Sequence, residues 1–355
     1  RFGAVVRDLG IVGALRVGIG AVLRAADPAA QRALAQRDLT DPAAGPHALQ
    51  QLIAEAHSAL ADRWHCRREL HRGSPILAAQ SRPSVPGRHD GLRLRPNMRT
   101  LLPALLAAQA LDPPEDLLLV CPGLVYRRSP LSPLHAAEPH QLDLWRLYRG
   151  RLGSIELADM VRTVLAATLP GRRYRLLPSA RPHLPHGMRV DIHSEHGWVA
   201  IGRIGLLAPA LLSASGLNPA TVSGLGMTLG LDRVLMQRKG LTSIQLLRSR
   251  IPAIASQMLD LRSYTPPADT PAQHRELFIP AGACKSDIEL AERIRALLPE
   301  RLDVIEQAAL QPDGRLRLVL RHHGRVLTAR EADGICDEIG ALFAQPVAAA
   351  RPAYA

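Results

Sequence analysis

The sequence predicts an α+β protein in two parts, and three observations predict it. Between residues 46 and 240, strand patterns of period two alternate with helical patterns whose apolar residues recur every three or four positions. A polar, proline-rich stretch at 262–274 then breaks the pattern. Behind it lies a run with the order β-α-β-β-α, the pattern of a split βαβ, ferredoxin-like fold. The chain has 355 residues, enough for one large domain and one small one. The expected boundaries are an N-terminal helical arm at 1–37, a core at 38–261, a linker at 262–274, a small domain at 275–345 and a tail at 346–355.

The arm reads as one or two helices that need another surface to pack on. Arg7, Arg16 and Arg24 break its apolar stretch, so it is not a membrane-crossing helix. In PHALQQLIAEAHSALADR, at 46–63, Leu49, Leu52, Ile53, Ala56 and Leu60 share one helical face, and Pro46 fits the first turn. A strand is expected near 65–70, an extended stretch from Pro75, a polar loop at 79–92 and a short helix at 99–110. LLLVC at 117–121 reads as a buried strand that Pro122 and Gly123 interrupt and 124–128 continue. HQLDLWRLY at 140–148 suits a sheet strand, and 156–169 an amphipathic helix. Strand signals return at 188–193 and 198–202. A helix at 230–239 follows a glycine-rich strand. In the small domain, Thr328 and Glu331 form a capping box for the last helix.

Composition narrows the function. The formal net charge is +12, which permits a polyanionic partner such as RNA. Arg greatly outnumbers Lys, however, and a generally Arg-rich composition gives the same charge without one. Cys66, Cys121, Cys284 and Cys336 are far apart and form no CxxC pair. No zinc or dithiol site is expected, and a reduced, cytoplasmic protein is.

Two long segments carry a family resemblance. VYRRSPLSPLHAAEPHQLDLWRL, at 125–147, resembles motif 2 of phenylalanyl-tRNA synthetase. It has an arginine at a strand end (Arg127), a loop histidine (His135) and a His-Gln pair before the next strand (His140, Gln141). WVAIGRIGLLAPALLSASGLNPATVSGLGMTLGLDRVLMQRKG, at 198–240, resembles the stretch that leads into that family's motif 3, with Arg233 as its arginine. The last 80 or so residues resemble its ferredoxin-fold anticodon-binding domain. The resemblance implies a class II synthetase fold, with an antiparallel sheet flanked by helices. It also implies a homodimer through the 46–78 region and ATP, magnesium, an amino acid and tRNA as ligands.

Site residues carry over position by position. Arg127 would hold the α-phosphate and the attacking carboxylate, and Arg233 the far phosphates, since guanidinium forks suit phosphate oxygens. Gln141 and Asp143 would face the substrate ammonium, Asp143 standing where the family has Glu. His135 and His140 are further substrate-binding candidates. Gly224, Gly226 and Gly230 allow a nucleotide to approach the backbone, or else pack tightly. Arg315, Arg317, Arg321 and Arg325 are the candidates for RNA phosphates.

Several positions depart from the family. Ser129 replaces the acid that reads the adenine amino group. Ser132 and Leu134 replace an acid and a threonine. LRTHTS appears as LRPNMR, which puts Asn97 and Arg99 at the substrate. Ala200 replaces the glutamate at the ATP–magnesium end, with Arg203 close by. The aromatic run of the phenylalanine pocket becomes Ala180, Arg181, Pro182, His183 and Leu184. Magnesium needs hard oxygen ligands, so ATP with magnesium is doubtful here. Three functions follow: a paralogue with weakened or lost phenylalanine activation that binds tRNA or a small anionic or amino-acid ligand, a ligase for another amino acid, or a structural partner.

Overall fold

The computed structural model describes residues 28–74, 76–77, 93–195, 197–280 and 282–344. Most of the arm, the 79–92 loop and the 346–355 tail lie outside them.

The core opens with α1 (Pro28–Ala35) and α2 (Ala48–Trp64). His47 caps α2, its Nδ1 accepting from the Leu49 amide at 3.2 Å. Then come β1 (Arg67–Leu70), the two-residue β2 (Ile76–Leu77) and β3 (Arg93–Leu94), α3 (Leu102–Ala107), β4 (Asp116–Leu124) and β5 (His140–Arg149). Next are α4 (Ser154–Thr168), β6 (Tyr174–Pro178), β7 (Met188–Ser194), β8 (Gly197–Leu206), α5 (Pro209–Ala214), β9 (Val222–Gly230), α6 (Leu231–Lys239) and α7 (Pro252–Ala255).

Seven strands form one sheet in the order β1-β4-β5-β9-β8-β7-β6. β1 runs parallel to β4 and every other neighbouring pair is antiparallel. Strand alternation separates two apolar layers. Leu118, Val120, Leu142 and Leu144 pack with α2, α4 and α6 residues on one face. Leu117, Leu119, Cys121, Trp145 and Leu147 pack with α3 and α5 residues on the other. Gln141 and Asp143 share this second face with Trp145, since successive odd positions point the same way.

β4 corrects one expectation. It runs unbroken through Pro122 and Gly123, which pair with Leu142 and Gln141. β1 covers only Leu117–Val120 of β4, so Pro122 lies past the end of that neighbour, where no ladder N–H is needed.

The small domain has β10 (Gln273–Phe278), α8 (Asp287–Leu297), β11 (Ile305–Leu310), β12 (Arg315–Leu320) and α9 (Ala329–Ala344). β12 lies between β10 and β11, antiparallel to both, as in a split βαβ unit. The first strand takes in the last residues of the expected linker. The capping box is present: the Glu331 amide donates to Thr328 Oγ1 at 3.3 Å, and the Thr328 amide donates to Glu331 at 2.9 Å.

This domain is docked on the core. Leu131, from the β4–β5 loop, is buried in the small domain's apolar cluster. The Ala308 amide donates to the Leu131 carbonyl at 3.1 Å. Arg128 pairs with Glu292 at 2.9 Å. No helix among the described residues is long and apolar enough to cross a membrane.

Candidate anion-binding cleft

A cleft of about 590 Å³ opens where β5, β8 and β9 meet the β4–β5 loop, a volume typical of small-molecule sites. Its lining is strongly cationic. Arg127, Arg128 and Arg233 come from the β4–β5 loop and α6. Arg99, Arg181, Arg189 and Arg203 come from the turn before α3, the β6–β7 loop, β7 and β8. Asp232 is the one acid among the described lining residues.

Arg127 leaves the end of β4, and its amide donates to the Ala137 carbonyl at 2.8 Å. Its Nε donates to the Pro96 carbonyl at 3.0 Å, and one Nη donates to Gln141 Oε1. Burial, then Arg233, Arg203 and Arg99, pull its pKa below the usual value, while Asp143 opposes them. Arg233 sits in the first turn of α6. Its Nε donates to the Leu134 carbonyl and an Nη to the Ala200 carbonyl, both at 2.9 Å. The cleft therefore brings together the two arginines singled out in the sequence. Among the described residues, neither has a carboxylate within 4 Å.

Gln141 lines the cleft and Asp143 lies a layer beneath it, fully buried. Gln141 Nε2 donates to Asp143 Oδ1 at 2.6 Å. Asp143 Oδ2 has no hydrogen-bond partner, nor does Oδ1 of Asn97. Burial pushes the Asp143 carboxyl up to about 6, against Gln141, Thr228, Arg99 and Arg127.

The sign of the pH effect follows. Between 3.8 and about 6 the folded state keeps a proton that the unfolded state releases. The contribution is full below the unfolded value and is lost as pH rises through the folded one. At neutral pH the ionised group therefore costs stability. Asp143→Asn should raise stability at pH 7 by about 1–3 kcal/mol. It should also flatten the pH dependence between about 4 and 7. Denaturant titrations at pH 5 and pH 7 measure both, and a destabilised variant at pH 7 would refute the account.

His140 lies at the edge of the cleft but is only 1% exposed. Its Nδ1 donates to Asp232 at 2.6 Å, and its Nε2 accepts from the Leu39 amide at 3.1 Å. It is a structural tie rather than a free substrate contact. His135 lines the cleft, with Nδ1 2.7 Å from Ser132 Oγ.

Gly230 lines the cleft, and a Cβ there would meet only the Ile201 carbonyl at 3.6 Å. Gly224 and Gly226 do not line it. A Cβ would strike Leu207 at 2.3 Å in one case and Trp145 at 2.1 Å in the other. Those two glycines make room for core side chains.

The departures have structural counterparts. Ser129 is 7% exposed, because Arg295 of α8 covers it and donates to its carbonyl at 2.6 Å. The Ala200 carbonyl is occupied by Arg233. Asp191, opposite Ala200 in the register, is held by Arg189 at 2.7 Å and Arg175 at 3.1 Å. No group of three His, Cys, Asp or Glu among the described residues is placed to hold a metal. Arg181 and His183 line the cleft where the aromatic run was expected.

Residues 61–258 match the family described as tRNA synthetases class II core domain (F). The chain belongs to this family. Within it, the chain is similar to the phenylalanine–tRNA ligase alpha subunit of Streptomyces avermitilis, 28% identical over 167 residues, 40% of this chain and 44% of that protein. It is also similar to the alpha subunit of Prochlorococcus marinus, 30% identical over 132 residues, 37% and 39% of the two chains. The chain thus spans less than half the length of these curated relatives. Among solved structures, pyrrolysyl-tRNA synthetase from Desulfitobacterium hafniense aligns with 61% of this chain and 77% of that one, at 20% identity and a TM-score of 0.46. In the class II core of this chain, the sheet carries the cleft on one face and the main apolar layer on the other.

The RNA candidates on the small domain are mostly occupied. Arg315 pairs with Asp313 and Glu276, Arg321 with Glu306, and Arg325 with Glu331. Arg317 is exposed on β12. Sequence reasoning missed Arg128, Arg189 and Arg295 as parts of the site. No local pattern marks Arg189 or Arg295, since each reaches the cleft region only through tertiary packing, while Arg128 directly follows Arg127.

Proposed function

We propose that this class II core protein binds a small anionic or amino-acid ligand and has lost phenylalanine activation at a synthetase rate. The observation that carries the reading is the charge of the cleft: seven arginines line it against one acid, which is tied to His140, and five of the seven have no carboxylate within 4 Å among the described residues, only Arg128 and Arg189 being paired, with Glu292 and Asp191. Guanidinium forks aimed at one cavity favour phosphate or carboxylate oxygens. Arg127 and Arg233 would hold such an anion.

The residues present do not fit magnesium-bound ATP. Magnesium is held by hard oxygen ligands, chiefly carboxylates. Ala200 offers a methyl group, its carbonyl is taken by Arg233, and Asp191 is taken by two arginines. Arg203 adds a repelling cation to the same wall. The adenine-reading acid is absent at Ser129, and Arg295 covers that position.

A second reading is a ligase for another amino acid. The unpartnered buried Oδ1 of Asn97 on the cleft lining favours it, since an ammonium would satisfy it. A homodimer through the 46–78 region is also proposed, because β1 is an edge strand of the sheet. So is tRNA binding through backbone phosphates. Arg317 is the candidate best placed for it, since the other three would have to leave their carboxylates.

Amino-acid-dependent exchange of pyrophosphate into ATP tests the main reading, beside calorimetry with pyrophosphate. The expected result is no phenylalanine-dependent exchange above background, together with measurable pyrophosphate binding. Robust exchange with phenylalanine would refute the reading, and robust exchange with another amino acid would establish the second.

A further inference from the structure

The cleft arginines fall into two groups. Arg127 and Arg233 belong to the motif 2 and motif 3 positions. Arg99, Arg181 and Arg203 do not: Arg181 stands in the segment that replaces the family's aromatic run, Arg99 reaches His183 of that segment, and Arg203 reaches Ser179 just before it.

The backbone of the wall these three form is tied by hydrogen bonds, and the Arg181 side chain on it is exposed. The β6–β7 loop folds back on itself, Arg181 and Leu184 exchanging backbone hydrogen bonds at 2.9 Å. The His183 carbonyl accepts from the Ala208 amide at 3.0 Å. The His183 ring meets Trp145 edge-on, with centroids 6.3 Å apart. Trp145 fills the space above Gly226 and closes the apolar floor on that side. Arg99 Nη1 lies 3.2 Å from His183 Nε2, and Arg203 Nε donates to Ser179 Oγ at 3.2 Å.

None of the three arginines has a carboxylate within 4 Å among the described residues. After burial, Arg181, Arg189 and Arg99 all depress the Arg203 pKa. His183 is drawn down to about 4 by burial and by Arg99, Arg181 and Arg203. It is therefore neutral at pH 7, and its Nε2 accepts from Arg99. The wall is a set of cations that repel one another and lack a counter-ion. The same cleft is lined by Asn97, whose buried Oδ1 has no hydrogen-bond partner, and by Gln141, behind which the Asp143 carboxyl is fully buried.

We infer that the cleft is specific for an α-amino acid with an anionic side chain: Arg99, Arg181 and Arg203 take the side-chain anion, Arg127 takes the α-carboxylate, and Asn97 Oδ1 receives the ammonium, with the Asp143 carboxylate adding its charge from behind Gln141. The inference rests on the anion-binding reading above and adds the ligand class. A side-chain carboxylate and a side-chain phosphate share the chemistry this wall recognises, so both are tested.

Calorimetry on the whole chain with two isostere pairs isolates the side-chain charge. The pairs are L-glutamate with L-glutamine, and O-phospho-L-serine with L-serine. Pyrophosphate and L-phenylalanine serve as references. At least one anionic member should bind roughly tenfold to hundredfold more tightly than its neutral partner, the range of a charge-assisted hydrogen bond. Arg203→Gln should reduce that ratio to about threefold or less. Arg99→Gln provides the same comparison if Arg203→Gln fails to fold. Equal binding within both pairs, or phenylalanine binding as tightly as the anionic ligands, overturns the inference. Pyrophosphate binding without any amino-acid binding overturns it and leaves the anion reading standing. If neither pyrophosphate nor any amino acid binds, both readings fall.

Discussion

Asp232→Ala should lower the stability of the core by about 2–5 kcal/mol, since it leaves two buried donors unpaired at about 1–3 kcal/mol each. Asp232 lies in the first turn of α6, where the helix dipole favours a carboxylate. One oxygen accepts from His140 Nδ1 at 2.6 Å, and the other from the His140 amide at 3.1 Å. On its far side, His140 Nε2 accepts from the Leu39 amide and lies 3.2 Å from Arg248 Nη2. One imidazole thus ties the segment before α2, the start of β5, the start of α6 and the turn at 244–248. Alanine leaves two buried N–H groups of His140 without an acceptor. Asp232→Asn keeps an acceptor and should lose less. The midpoint of the core's unfolding transition in denaturant, followed by tryptophan fluorescence, is the measurement. An Ala variant that unfolds at the parent midpoint would show that the tie is not stabilising. Because Arg233 is the next residue, pyrophosphate affinity should fall in the same variant.

The sheet was legible in the sequence wherever alternation was strong. The strand at 117–121, the strand at 140–148 and the helix at 156–169 appear within a residue or two at most ends. Pro122 misled because the rule against proline in central strands depends on the neighbour's length, and no local signal shows that β1 ends at Leu70. Gly224 and Gly226 were ambiguous for a similar reason. A nucleotide and a tryptophan ring both require a missing Cβ, and only the cross-strand neighbour decides between them. Here Trp145 faces Gly226 directly.

The site was legible only where motif order fixed it. Arg127, Gln141 and Arg233 were found through two long segments, and the cleft brings them together. Its cationic character comes from four further stretches of chain, and Arg189 was not anticipated. The cover on Ser129 comes from Arg295, 166 positions away, a separation no sequence window spans. Among the candidate RNA contacts, charge counting identified Arg315, Arg321 and Arg325 as cations without revealing their carboxylate partners. Of these partners, Asp313 and Glu331 are near in sequence, while Glu276 and Glu306 are brought in by the sheet.

Leu131→Asp should undock the small domain from the core. Leu131 belongs to the β4–β5 loop, yet it is 5% exposed and joins the apolar cluster that holds Leu290, Ile294 and Ala308. Removing the leucine forfeits about 2–3 kcal/mol of apolar burial, and the aspartate adds the cost of taking a charge out of water. Contacts around it are polar and weaker individually. Arg128 pairs with Glu292 at 2.9 Å, Arg295 donates to the Ser129 and Pro130 carbonyls, and Gln245 donates to the Ile305 carbonyl at 3.2 Å. They cannot hold the interface against a buried carboxylate, because exposed ion pairs contribute only about 0–1 kcal/mol each. Each domain keeps its own remaining core, so both should stay folded. The expected readouts are a larger radius of gyration in solution scattering and faster proteolysis in the 262–272 stretch. Arg295→Ala, which removes the hydrogen bonds to Ser129 and Pro130 but leaves Leu131 in place, should produce a smaller change in the same direction. Scattering and cleavage rates in Leu131→Asp that match the parent would mean that the docked arrangement does not depend on this leucine. Undocking also removes Arg295 from Ser129, and it should do so without altering Arg99, Arg181 or Arg203, whose contacts lie within the core. Pyrophosphate affinity that survives undocking would therefore place the anion site in the core alone.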